Sequence, residues 1–279
     1  VTAGGARSRP LTASTDLAHG GRWTSLRTPE REWLWRNPRV PAAARAAVRP
    51  GDAFVDAGGG EECFPTVVGT PDHGDAWSRP WTRTRGGATV DAGGLTLARR
   101  LDVVDGAVRA RYRVGAPAGV GLLHAVHLLL DLSPAARLVV PGEPAVVVSD
   151  WPRPGRDTAT VWPDGGGVPL DRLGADDRTA RCAVVATSAV DVVDGEDRLR
   201  LRWRLLSGRA PLSLVVWRNL GGWPDRAPYR SVGVEPLLGA ATDRARADPD
   251  RLARCDGGAG LAWELVVSAQ RGRTAAPNT

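Results

Sequence analysis

The sequence predicts an all-β chain folded as a large antiparallel sandwich, and three observations carry that expectation. Apolar and polar residues alternate with period two over much of the 279 residues, the pattern of strands with one buried face. Asp-Gly pairs at 105–106 and 194–195 separate such runs, and this dipeptide favours tight hairpin turns. Finally, 34 glycines and 22 prolines punctuate the chain at intervals of about ten residues, as in proteins built from many short strands.

In chain order, Gly21–Leu26 and Trp33–Arg36 read as strands and Ala42–Val48 as a short helix. Leu95–Leu101 alternates, turns through residues 103–106 and returns as Val108–Val114. Strands are expected over Gly119–Leu132, Ala136–Val140 and Ala145–Ser149. Arg181–Val193 then alternates into the second Asp-Gly turn, and Arg198–Leu205 returns with its polar and apolar faces separated. Leu212–Trp217, Arg230–Glu235 and Gly260–Val267 complete the strands, and Thr242–Leu252 reads as a second short helix. No Pro/Ser-rich linker breaks the pattern, so one domain is expected over residues 1–279, with flexible ends at 1–10 and 270–279.

With 42% hydrophobic and 24% charged residues the chain has an ordinary soluble composition, which excludes collagen-like, coiled-coil and disordered classes. A chain of this length can bury a sizeable core without a metal or disulfide staple. Its cysteines, Cys63, Cys182 and Cys255, are odd in number and lack CxxC spacing, so neither a disulfide framework nor a structural zinc site is expected. The net charge is +6 with no lysine, and arginines interleave with acids, as where Asp176 and Asp177 adjoin Arg178 and Arg181. That pattern lacks the basic stripe and aromatic platforms of a nucleic-acid binder. No apolar run approaches the roughly 20 residues needed to span a bilayer, so no membrane partner is expected. Residues 1–10 show no basic end followed by an apolar stretch, and a cytoplasmic location is the expectation.

Four histidines carry most of the potential proton chemistry: His19, His73, His124 and His127. His73 lies in a loop, Pro71–Trp81, dense with acids, arginine and tryptophan, groups that suit the apolar patches and hydroxyl rims of sugar rings. His124 and His127 share a strand, and their odd spacing sends them to opposite faces without saying which meets a cleft. Glu235 ends an apolar strand before Pro236. Desolvation at such a place can raise a carboxylate's pKa toward that of a general base.

Six blocks occur in order: WLWRNP (33–38), GGGEECFPT (58–66), PDHGDAWSRPW (71–81), HLLLDLS (127–133), LVVWRNLGGWP (214–224) and VEPLLGAATD (234–243). Together they resemble the galactose mutarotase superfamily over about Gly20 to Leu265, nearest to its aldose epimerase-like and hexose-6-phosphate mutarotase branches. The resemblance implies a β-supersandwich of galactose mutarotase type that binds a small-molecule sugar without a cofactor. It implies His127 as the acid that protonates the ring oxygen and Glu235 as the base at the anomeric hydroxyl. His73 would bond the sugar near its anomeric end, and Asp171 would grip its hydroxyls. Asp72, Trp77 and Arg79 beside His73, with Glu62 and Trp217 in neighbouring blocks, complete the expected substrate contacts.

Departures from the resembled pattern bear on the substrate. Ala57 stands where the phosphate-using branch has arginine, and Glu61 where it tends to have proline. The lost cation and gained acids argue against a phosphorylated sugar, although Arg36, Arg79 or Arg218 could replace it. Two other readings accompany the mutarotase: a carbohydrate-binding protein without catalysis, and a related acid/base enzyme of specialised metabolism. His73 with Asp72, Asp75 or Glu62 shows no tight ligand spacing, so no metal is expected.

Overall fold

The structure, a computed structural model, describes residues 7–149, 156–255 and 260–272. Two nine-stranded antiparallel sheets account for most of it. The first runs, from edge to edge, through Arg137–Val139, Ala189–Asp194, Asp197–Ser207, Leu261–Arg271, Ala107–Gly115, Leu95–Val104, Gly87–Ala92 and Thr82–Thr84, with Arg7–Arg9 added on Leu261–Arg271. The second runs through Thr158–Val161, Ala145–Ser149, Ala180–Val185, Leu212–Trp223, Tyr229–Leu238, His124–Leu130, Gly60–Cys63, Arg22–Arg27 and Thr12–Asp16.

Alternation places the core. On Asp197–Ser207, Leu199, Leu201 and Trp203 are buried while the intervening arginines point out. They join Ala110, Tyr112, Trp263 and Leu265 of the first sheet and Val126, Leu128, Val185, Val216 and Val234 of the second in one apolar cluster between the sheets. Burying each large aliphatic side chain is worth about 1.5–3 kcal/mol. The outward arginines gather round acids: Arg198, Arg200 and Arg202 on Asp191, and Arg109, Arg111 and Arg204 on Glu264.

The second sheet is covered on both faces, which is why His124–Leu130 is buried throughout. Its even-numbered residues enter the inter-sheet core. Ala125 and Leu129 face the other way, into a separate cluster with Cys63, Cys182, Val215, Trp217 and Leu237. That second face holds the candidate site.

Several expectations change. The run 181–193 is two strands in different sheets, Ala180–Val185 and Ala189–Asp194, because the chain crosses the sandwich between them. Residues 119–132 likewise split, with Gly121–Leu122 pairing Ala253–Arg254. Trp33–Arg36 makes only isolated bridges, Leu34 to Leu130 and Arg36 to Gly58. The early helix forms over Ala42–Ala46, but 242–252 holds only a 3₁₀ turn, Pro249–Arg251. Pro249 holds Asp248 extended at φ −59°, ψ 145° and stops a helix there. The ends expected to fray are paired where described: Arg7 with Arg271 and Ser8 with Gln270. The remainder of those ends lies outside the described residues. No helix among the described residues is long and apolar enough to cross a membrane.

Candidate active site

Three adjacent strands bring the titratable groups together. Glu61 pairs with His127 across one ladder, and Val215 pairs with Glu235 across another. Between them, the ladder joining His124–Leu130 to Tyr229–Leu238 has pairs Ala125 with Leu237 and Leu129 with Gly233, and His127 and Glu235 fall in the gap. Pro236 has no amide hydrogen to offer there. Glu235 is therefore in mid-strand rather than at the strand end the sequence suggested, because the strand continues past the proline to Leu238. Gly233 makes room for it: a Cβ at that position would lie 2.5 Å from Glu235 Oε1 and 3.0 Å from Trp217 Cβ.

Nδ1 of His127 lies 2.8 Å from Oε1 of Glu235. Both side chains are nearly inaccessible, at 9% and 2%. The contact is a charge pair rather than an aligned hydrogen bond, and among the described residues Glu235 Oε2 has no hydrogen-bond partner. Burial alone would lower the His127 pKa, but the Glu235 carboxylate, joined by Asp56 and Glu61, outweighs it and holds the imidazole above its ordinary value of 6.5. An imidazole and a carboxylate at this distance can pass a proton between themselves and a bound molecule.

His73 stands over this pair on the loop that the sequence singled out. Its ring is 5.1 Å from that of His127, edge to face, and it stacks on Phe54 at 3.5 Å with an interplanar angle of 3°. Its Nδ1 is 3.2 Å from Asp72 Oδ2. His73 has φ 62° and Gly74 φ 68°, and a Cβ on Gly74 would come within 2.2 Å of Phe64 O, so the loop turns tightly only because residue 74 is glycine.

These groups line a hollow of about 60 Å³ together with Asp56, Val215, Trp217, Trp223 and Cys182. Asp56 accepts a 2.6 Å hydrogen bond from the Tyr229 hydroxyl. A larger groove of about 690 Å³ lies alongside, bounded by Thr66, Asp75, Asp243 and Arg244. Among the described residues no histidine lines it.

Of the expected site residues, the structure brings together His127, Glu235, His73, Asp72 and Trp217. The other four stand apart. Glu62 is on the opposite face, fully buried, and accepts hydrogen bonds from Trp23, Tyr112, Arg99 and His124. Trp263 donates to Nδ1 of His124, so Nε2 of that ring is the donor to Glu62. Trp77 is inaccessible beneath Phe54, with the Arg45 guanidinium 5.1 Å from its ring. Arg79 is engaged with Asp75, and Asp171 lies near Arg172, away from the hollow. Phe54, Asp56, Val215, Cys182 and Trp223 are lining residues the sequence reading missed. Trp223 lay in a quoted block, but the loop before Gly58 has no period to mark it.

The gained acids carry less meaning than their sequence position suggested. Glu61 is held by two Arg45 nitrogens, Nε and Nη2, each at 3.0 Å, and by Arg22 at 3.1 Å, and Glu62 is matched by Arg99. Among the described residues no arginine lines the hollow. Arg36 bonds the Thr24 carbonyl and Arg218 bonds Asp177, so neither supplies the missing cation.

One arrangement was not anticipated. Cys63, His73 and His127 have potential ligand atoms within 4.8 Å of one another. Burial pushes the Cys63 thiol well up, aided by Glu235 and Glu61, which disfavours the thiolate a metal would need.

No protein-family model and no curated protein matches the sequence. Solved structures do. The galactose mutarotase related enzyme of Lactobacillus acidophilus is 12% identical with TM-score 0.60, covering 97% of this chain and 98% of its own. A candidate aldose 1-epimerase of Escherichia coli K12 is 11% identical with TM-score 0.66, covering 96% of this chain and 100% of its own. The Slr1438 protein of Synechocystis sp. PCC 6803 is 12% identical with TM-score 0.65 and covers 96% of each chain. The chain shares the mutarotase-like fold of these proteins.

Proposed function

We propose that this protein is an aldose mutarotase, an isomerase that interconverts the anomers of a sugar through its open-chain form. The observation that carries the reading is the His127–Glu235 pair, an imidazole and a carboxylate 2.8 Å apart at the floor of a hollow. In ring opening, Glu235 takes the proton of the anomeric hydroxyl as the bond between C1 and the ring oxygen breaks. His127 gives its proton to that oxygen. The resulting aldehyde rotates about the C1–C2 bond, and reclosure on the other face returns both protons. No redox partner is required, and the enzyme ends in the state in which it began. Positioned acid and base groups typically contribute about 10²–10⁴-fold each.

The test follows the optical rotation of freshly dissolved α-D-glucose and α-D-galactose with the wild-type protein, Glu235→Gln and His127→Asn. Acceleration by wild type, reduced at least about 100-fold in each variant, is the expected result. Sugar binding without acceleration, unchanged by either substitution, would show a carbohydrate-binding protein instead.

A further inference from the structure

We propose that the hollow is also a zinc site, in which Cys63 Sγ and one ring nitrogen each of His73 and His127 hold the ion and so take His127 out of proton transfer. The three side chains offer ligand atoms that all lie within 4.8 Å of one another. In a tetrahedral zinc site, with bonds of about 2.0–2.3 Å, ligand atoms stand roughly 3.3–3.8 Å apart. Side-chain adjustments of about 1 Å therefore bring all three to bonding distance. Cys63 and His127 project from the same face of adjacent strands, since Cys63 pairs with Ala125 and Glu61 with His127.

The two imidazoles supply a second, independent observation. Nδ1 of His127 faces Glu235 at 2.8 Å, and Nδ1 of His73 faces Asp72 at 3.2 Å. A carboxylate thus backs each ring, which assigns Nε2 to the metal. Metal-bound histidines are held in this way, one nitrogen on the ion and the other donating to a carboxylate. Phe54, stacked on His73 at 3.5 Å, fixes the plane of that ring. Glu235 Oε2 and Asp72 Oδ1 are buried without a hydrogen-bond partner among the described residues, and their charge favours a dication beside them.

Chemistry selects the metal. Burial keeps the Cys63 thiol protonated, so an ion must bind sulfur strongly enough to displace that proton. Zinc does so, whereas magnesium and calcium prefer oxygen ligands. The hollow of about 60 Å³ has room for one ion with a water in its fourth position. On binding, the thiol proton and the Nε2 proton of His127 leave to solvent, lone pairs of sulfur and nitrogen close on zinc, and no oxidation state changes. With that lone pair on zinc, His127 has no proton to give a ring oxygen. The inhibition rests on the mutarotase reading, and the binding stands without it.

The experiment adds cobalt(II) and zinc(II) chlorides to the chelator-stripped full chain. One equivalent of cobalt should give a sulfur-to-cobalt charge-transfer band in the near ultraviolet, and one equivalent of zinc should bleach it. Cys63→Ser should lose that band with its circular dichroism unchanged, whereas Cys182→Ser, which alters the other thiol at the hollow, should keep it. Asp72→Asn, which removes the carboxylate behind His73, should weaken zinc binding by about 10–100-fold. Absence of the band in wild type, or a band that survives Cys63→Ser, overturns the site, and the wild-type spectrum decides even if Cys63→Ser fails to fold. Stoichiometric zinc should abolish wild-type acceleration of glucose mutarotation, a chelator should restore it, and Cys63→Ser should stay active in the same zinc. Acceleration undiminished by bound zinc overturns the inhibition. A cobalt band in a protein that accelerates no sugar, with or without metal, would sustain the site and remove the mutarotase reading.

Discussion

His127 and Glu235 meet across a gap in their own ladder, where Pro236 leaves the sheet without an amide donor, and their side chains approach to 2.8 Å. The imidazole and the carboxylate are thus placed by backbone register rather than by mobile loops. A site on strands holds its geometry more tightly than one on loops, and the consequences can be measured.

The pH dependence follows from the raised His127 pKa. In the proposed reaction His127 donates its proton as imidazolium, so activity should persist above pH 6.5 and fall only as pH passes the raised value. The same shift stabilises the fold fully below pH 6.5, and that contribution fades as pH rises through the folded value. In Glu235→Gln the chief raising charge is gone while burial remains, so the His127 pKa measured by NMR should drop. An unchanged titration in that variant would contradict the pairing.

Gly233→Ala tests the space beneath the carboxylate. The added methyl must displace Glu235 Oε1 or push on Trp217. Misplacement on the ångström scale can cost about 100-fold in rate, so kcat should fall by roughly 10–100-fold while the protein stays folded. Gly233 is a positioning residue, and the alkaline limb should shift toward lower pH as Glu235 moves away from His127. Loss of activity with an unmoved limb would indicate a merely structural effect.

Phe54→Ala removes the ring stacked on His73 and edge-on to His127 and Trp77. Because Phe54 walls a hollow of only about 60 Å³, the variant should accept bulkier sugars, raising the ratio of hexose to pentose turnover. Such aromatic pairs are worth about 0.5–1.5 kcal/mol, and a comparable loss of stability is expected. A ratio equal to wild type would show that the ring does not limit substrate size.

Glu62→Gln tests the opposite face of the same strand. Burial would raise the Glu62 pKa, but Arg99 and His124 outweigh it and hold the carboxyl at about 2. Its stabilising contribution is therefore complete above about pH 4.5 and is lost as pH falls toward 2. Substitution leaves Arg99, itself only 4% exposed, without its counter-charge, and breaking such a buried pair costs about 3–5 kcal/mol. Denaturant unfolding should show this loss, and a change below about 1 kcal/mol would contradict it.

The hairpin at 105–106 was legible because turn chemistry and alternation agreed on both sides of it, whereas the second turns one residue later than expected, through Gly195 and Glu196, because Asp194 still pairs with Asp197. His127 was singled out only through the family resemblance. Spacing separated it from His124, but with apolar neighbours on both faces of that strand nothing local marked the face bearing the site. Glu62 and Trp77 were misread for a shared reason: their partners, Arg99 and Arg45, are far away in sequence. A polar or aromatic residue looks available until the fold brings its partner. Phe54 and Asp56 were missed because a loop has no period, and Pro236 was taken as a strand stop although a gap in one ladder accommodates it.

Glu61 and Glu62 are neighbours with opposite destinations, the first beside His127 with Arg45 and Arg22, the second among Arg99, Tyr112 and His124. A shift of Gly60–Cys63 by one residue along its neighbour would exchange those faces. A slip by one residue would bring one acid into the other's place and leave one set of cations without its carboxylate: Arg99 if Glu62 moved to the Glu61 position, Arg45 and Arg22 if Glu61 moved to the Glu62 position. The tandem acids therefore act as a key that seats the strand in one alignment, and the contact between His127 and Glu235 inherits its accuracy from that seating.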